Sequence, residues 1–259
     1  MKRRITKSFV PNLLTTANLF CGFASLVYSA DGDFQKAALF ILLGAFFDMM
    51  DGVTARLINA ASEFGGELDS LCDVVTFGVA PSYMLFMAYF NTFGELGILY
   101  ASLPAIMGAL RLARFNVQLT SLEDKDFFTG MPIPAAALTI VSYIIFFQLD
   151  PSILSEYKDI LMFFVTILTS LVMVSNFKFF NTPKPSLKNI KEKPFVFIIT
   201  IIVLISIFWS KGFLIFPFML IYISLGIVLH FISWLKSGDE YDEESSTDID
   251  YEDLEEYEA

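Results

Sequence analysis

An all-α, polytopic membrane bundle of about eight transmembrane helices is the fold class this sequence predicts, and three observations predict it. Of its 259 residues, 55% are hydrophobic and 16% aromatic, with 29 phenylalanines, and the mean hydropathy is +0.62; soluble domains rarely combine such values. Several windows of about 20 residues are almost free of charge, the length a helix needs to cross the hydrocarbon core of a bilayer. Basic residues, finally, collect at alternate ends of those windows.

Apolar runs and helix breakers place the expected helices at roughly 12–30, 35–57, 67–90, 95–115, 131–149, 158–176, 195–210 and 213–235. DGD (31–33), NTFGE (91–95) and WSKG (209–212) read as short turns, and NTPKPSLKNIKEK reads as a linker ahead of Pro194. The opening MKRRITK runs straight into the first apolar span without a small-residue cleavage site, so no cleavable signal peptide is expected. An even number of spans puts both termini on one side. Fourteen of the 17 basic residues then fall on that side, and only Lys36, Lys158 and Lys211 on the other. The positive-inside bias makes it the cytoplasmic face of the inner membrane.

The net charge of −11 is a property of one end. Residues 239–259 hold 12 of the 28 acidic residues and no Lys or Arg, leaving 16 acidic against 17 basic in the rest. The expected organisation is a membrane domain over 1–236 and a disordered acidic tail over 237–259. Cys21 and Cys72 lie in spans without a metal or redox spacing and are expected to pack as small apolar residues. His230 is the only histidine, which excludes mechanisms that need two per chain. No nucleic-acid partner is expected.

The chemistry concentrates in DMMDGVTARLINAASEFGGELDSLCD (48–73). Asp48 and Asp51 are three apart and Asp69 and Asp73 four apart, so each pair shares a helix face. The two helices are consecutive and expected to be antiparallel neighbours, which lets four carboxylates converge at one end. Unpaired, they would repel one another and cost several kcal/mol to bury. Hard divalent cations such as Mg²⁺ or Mn²⁺ remove that cost by taking carboxylate oxygens, and a pair of such ions suits phosphoryl transfer. Gly52 and Ala55 leave room for a substrate against the backbone, Gly65 keeps the start of the third helix open, and Arg56 suits a phosphate or diphosphate. A cation or proton pathway through the same acids stays open at this point, because carboxylates inside membranes mark those too.

Asp48-x2-Asp51-Gly52-x2-Ala55-Arg56-x8-Gly65-x3-Asp69-x3-Asp73 resembles, at all eight positions, the signature of the CDP-alcohol phosphatidyltransferases. PNLLTTANLFCGF (11–23), RLARFNV (111–117) and FTGMPIPAAA (128–137) are similar to the phosphatidylserine synthase branch, and the resemblance covers residues 8 to 180. It implies transfer of a phosphatidyl group from CDP-diacylglycerol to L-serine, with release of CMP. It also implies two divalent ions held by Asp48, Asp51, Asp69 and Asp73, with Asp73 as general base. Gly52, Arg56, Ser62, Asn12 and Thr15 are implied to contact the CDP-lipid, and a homodimer is implied as well. Arg111 and Arg114, three apart on one helix face, are candidates for the serine carboxylate or a lipid phosphate. Other acceptors (glycerol phosphate, inositol phosphate, choline), a membrane prenyltransferase and a cation transporter are the rivals. The single Gly52-x2-Ala55-Arg56 element and the placing of the acids at helix ends count against the last two.

Overall fold

A computed structural model of the chain describes residues 8–58, 62–118, 127–150, 156–180 and 194–247. Eight helices are formed among them: α1 (Phe9–Ala30), α2 (Phe34–Leu57), α3 (Glu63–Ala88), α4 (Gly94–Gln118), α5 (Ile133–Gln148), α6 (Lys158–Val174), α7 (Pro194–Trp209) and α8 (Ile215–Thr247). By length and composition, α1, α2, α3, α4 and the Ile215–Ser233 part of α8 can cross a membrane. The others are shorter, with 17 residues in α6 and 16 in α7, below the ~20 of a perpendicular span.

The ends of the helices follow local chemistry. α3 begins at Glu63, earlier than the expected 67, because the Ser62 hydroxyl accepts the Gly65 N–H at 3.1 Å and Glu63 occupies the positive first turn. Between α1 and α2, Gly32 takes φ +75 and the Asp33 side chain caps Lys36 N–H at 3.1 Å. Hydrogen bonding to Lys36 holds the Asp33 carboxyl below its usual range. At the end of α5, the Lys158 ammonium donates to the carbonyls of Gln148 and Asp150.

Two features depart from expectation. α8 continues to Thr247, so the segment expected to be disordered from 237 begins as helix. Adding a residue to a formed helix avoids the cost of nucleation. Residues 248–259 lie outside the described residues. The chain also forms a small antiparallel ribbon, β1 (Phe127–Thr129) with β2 (Lys178–Phe180), pairing Phe128 with Phe179. Three-residue strands leave no periodicity to read.

Side chains are distributed as lipid demands. Large apolar residues face outward, Phe20 and Phe23 on α1 and Ile98 and Leu110 on α4 among them, while Asn18, Ser25, Thr76, Thr139 and Thr166 are buried. With acyl chains outside there is little hydrophobic drive between helices, so small and polar residues make the close contacts. Gly22 of α1 and Gly44 of α2 show this. A Cβ on either would stand 2.5 Å from the Thr76 side chain of α3. Both cysteines are free and buried, as packing residues should be.

Candidate active site

The starts of α1 and α3 and the ends of α2 and α4 lie at one end of the bundle, and the carboxylates gather there. Asp48, Asp51 and Asp69 each present an oxygen within 4.8 Å of the others. Consecutive helices do not suffice to bring them together. α1 packs along α2 and also against α3, and holds an acid on each. Thr15 donates to Asp51 Oδ2 at 2.6 Å, with the Pro11 carbonyl of its own helix also within reach at 3.1 Å. Asn18 donates from Nδ2 to Asp73 Oδ1 at 3.1 Å. The site is therefore built by three helices, and Asp73 stands beside the trio rather than within it.

A cavity of about 200 Å³ opens next to the trio, lined by Asn12, Thr15, Asp51, Gly52, Ser62 and Asp69 among others. Four of the five residues expected at the CDP-lipid thus meet in one space with two of the acids. Gly52 leaves that space free, since among the described residues a Cβ there would meet only Arg56 Nη1, at 3.9 Å. Arg56 is exposed, with its guanidinium over Gly52 at the rim. At Gly65 a Cβ would come within 3.1 Å of Ser62 Oγ and 3.4 Å of Asn12 Oδ1, so glycine here permits the cap and the cavity wall to meet.

The two arginines of α4 separate. Arg114 is spent on backbone: Nη1 donates to Val174 O at 2.9 Å and to Asn176 Oδ1 at 3.3 Å, while Nη2 donates to Ser175 O at 3.1 Å and Thr129 O at 3.4 Å. It ties the end of α6 to the ribbon. Arg111 is 7% exposed, its Nε has no hydrogen-bond partner among the described residues, and it feels the charge of Asp73. Of the pair, only Arg111 has a buried donor to offer a ligand near Asp73.

The family model for CDP-alcohol phosphatidyltransferase matches residues 8–174. The chain belongs to that family. The match spans α1 to α6, the helices that hold every phosphatidyltransferase motif residue described above. Among curated relatives of this phosphatidyltransferase, the CDP-diacylglycerol–serine O-phosphatidyltransferase of Helicobacter pylori (strain ATCC 700392 / 26695) is 34% identical over 218 residues, 84% of this chain and 89% of that protein. The Bacillus subtilis protein of the same name is 37% identical over 186 residues, 71% of this chain and 97% of its own. An archaetidylserine synthase from Methanothermobacter thermautotrophicus is 35% identical over 181 residues, 68% and 72% of the two chains.

Divalent ions fit the residues present. The donors are all hard carboxylate oxygens, three are already close, and the buried Asp69 Oδ1 has no hydrogen-bond partner among the described residues. The motif reading had no place for Asn18. An amide in mid-span, one helical turn beyond Thr15, was the available signal, but its partner lies 55 positions away.

Proposed function

We propose that this phosphatidyltransferase moves the phosphatidyl group of CDP-diacylglycerol onto the hydroxyl of L-serine, giving phosphatidylserine and CMP. What carries the proposal is the meeting in one mouth of a carboxylate trio, a cavity and Arg56, in a chain similar to proteins named for that reaction. Asp48, Asp51 and Asp69 would hold the divalent cations, Mg²⁺ or Mn²⁺, and Asp73, implied by the resemblance as a fourth ligand, stands beside them as the base. Bound there, such ions supply charge neutralisation at the diphosphate and polarise the phosphoryl group under attack.

The chain's own residues do the rest. Asn12, Thr15, Gly52 and Ser62 receive the nucleotide, and Arg56 pairs with the phosphates from the rim. Asp73 accepts the serine hydroxyl proton as the oxygen bonds to the β-phosphorus; the bond from that phosphorus to the bridging oxygen breaks, and CMP leaves with the electron pair. Arg111 pairs with the serine carboxylate, a role for which Arg114, with both terminal nitrogens bonded to the end of α6 and the ribbon, is less suited. The same reading takes residues 1–236 as the catalytic membrane domain with about eight spans, including α5, α6 and α7 as short ones met by local thinning of the bilayer. It sets both termini and the active site on the cytoplasmic face, residues 237–259 as an acidic appendage, and the enzyme as a homodimer.

The test is CMP release by purified protein in detergent with CDP-diacylglycerol, Mn²⁺ or Mg²⁺ and a panel of labelled alcohols. Serine-dependent release with label in lipid is expected. Release indifferent to serine sinks the acceptor assignment.

A further inference from the structure

Asn18 is fully buried in the middle of a membrane helix, where a polar side chain is costly unless it is used. Its surroundings leave it one position. The Nδ2 atom donates to Asp73 Oδ1 at 3.1 Å, and the Asn18 carbonyl accepts from Thr76 Oγ1 at 3.0 Å. Asp73 and Thr76 are three apart on α3, so two bonds from one helix grip both ends of a single residue on another. Oδ1 has no hydrogen-bond partner among the described residues and faces α2, where a Cβ on Gly44 would lie 2.9 Å from it. Turning the amide over would set Oδ1 against the Asp73 carboxylate, two acceptors face to face, so the orientation is fixed by the network.

The backbone is shaped around this contact. A π-helical segment, Val74–Val79, starts directly after Asp73 and carries Thr76 inward between Gly22 and Gly44. Such widened turns cluster at functional sites. The chemistry of the partner matters as well. Asp73 is 8% exposed and stands close enough to Asp48 and Asp69 to interact with their charges. A lysine or arginine in place of Asn18 would form an ion pair and compete with a proton for the carboxylate. An amide donates a hydrogen bond without bringing charge.

We propose that Asn18 is a positioning residue for the transfer reaction: it ties one oxygen of Asp73 to α1, keeps that carboxylate apart from the metal-holding trio, and presents its other oxygen to the acceptor hydroxyl. The proposal rests on the reading of Asp73 as the base. It assigns the two Asp73 oxygens different work, one structural and one reactive.

The experiment compares Asn18→Leu, which keeps the bulk and loses the donor, with Thr76→Val, Asp73→Asn and the Asn18→Leu/Asp73→Asn pair. Each full-length protein is purified in detergent and followed by kcat, KM for CDP-diacylglycerol, and Mn²⁺ affinity from the loss of free-ion EPR signal. Asn18→Leu is expected to lower kcat about 10–100-fold, the range seen when a residue orienting a reactive ligand is lost, while KM and Mn²⁺ affinity stay within about twofold. Thr76→Val changes in the same direction by less and serves if the leucine variant fails to fold. Added to Asp73→Asn, the leucine substitution costs no more than about twofold further, because the group it positions is gone. A kcat within twofold of the parent in Asn18→Leu or, should that variant not fold, in Thr76→Val, with Asp73→Asn strongly impaired, overturns the role of Asn18 alone. KM and Mn²⁺ affinity worsening in step with kcat reduces Asn18 to a packing residue. An active Asp73→Asn overturns the base assignment and this proposal with it.

Discussion

Residues in this mouth differ in what they have left to give, and hydrogen-bond capacity sorts them. Thr15 has one proton and two acceptors within reach, Asp51 Oδ2 at 2.6 Å and Pro11 O at 3.1 Å. The shorter bond, to a charged acceptor, fixes the orientation of an acid in the trio. Thr15→Val removes it while keeping shape, and is expected to weaken Mn²⁺ binding about 10–100-fold, as loss of a residue orienting a metal ligand does. An EPR titration reads that directly, and unchanged affinity would assign Thr15 to helix back-bonding alone. The arginines of α4 part company by the same accounting. Arg111→Lys replaces a buried planar donor set and should raise KM for serine about tenfold or more, leaving KM for CDP-diacylglycerol near the parent value. Arg114→Lys loses most of four bonds to the end of α6 and the ribbon and should show instead as a loss of stability of about 1–3 kcal/mol, read as a lower melting temperature. If Arg114→Lys raises KM for serine and Arg111→Lys does not, the assignment is reversed.

Helices make the site by approach, and α1 is the element on which approach depends. It carries Thr15, Asn18 and Gly22 on one inward face, at intervals of three and four. A methyl group at Gly22 would stand 2.5 Å from Thr76 Oγ1 and 2.9 Å from Thr76 Cα, so α1 and α3 would have to part. Gly22→Ala is expected to destabilise the protein by about 1–3 kcal/mol and to lower kcat with it. Gly52→Ala is the contrasting case. Its methyl group points into open space beside Arg56, so the melting temperature should hold while KM for CDP-diacylglycerol rises several-fold. Thermal melts and kinetics on the two variants distinguish a glycine that packs helices from one that admits substrate. Equal melting temperatures would erase that distinction. These elements also show what sequence could reveal. The spans of α1 to α4 and the Asp48–Asp73 motif are local patterns, with apolar runs for the first and helical spacing for the second, and the structure sets them close to where the patterns put them. Asn18, the backbone latch of Arg114 and the β1–β2 ribbon were not legible, because each is defined by a partner roughly 15 to 62 positions away and by no repeat along the chain. The helical continuation of α8 into the acidic run was hidden for another reason: composition reports how well a segment tolerates water, while helicity there is inherited from the span before it.

On the scale of the whole molecule, the bundle is held by close contacts among small and polar residues rather than by burial from water, and three like charges sit at its mouth. Without a counter-ion the trio opposes the approach of α2 and α3 that α1 enforces. A divalent cation bound by the folded site reverses the sign of that contribution. Binding to the folded state alone adds RT ln(1 + [L]/Kd), about 2.7 kcal/mol at a hundredfold excess over Kd. The melting temperature in detergent should therefore rise steadily with Mn²⁺ or Mg²⁺, fall on EDTA, and show no such rise with Na⁺ at equal ionic strength. Asp69→Asn removes one charge from the repelling set and one ligand from the attracting set. Its melting temperature is expected to lie at or above that of the parent in EDTA and below it in saturating Mn²⁺. That crossing separates an ion held by the trio from general screening, which would raise both proteins alike. A trio with no resident ion predicts parallel curves, and parallel curves would remove the metal site from the mechanism.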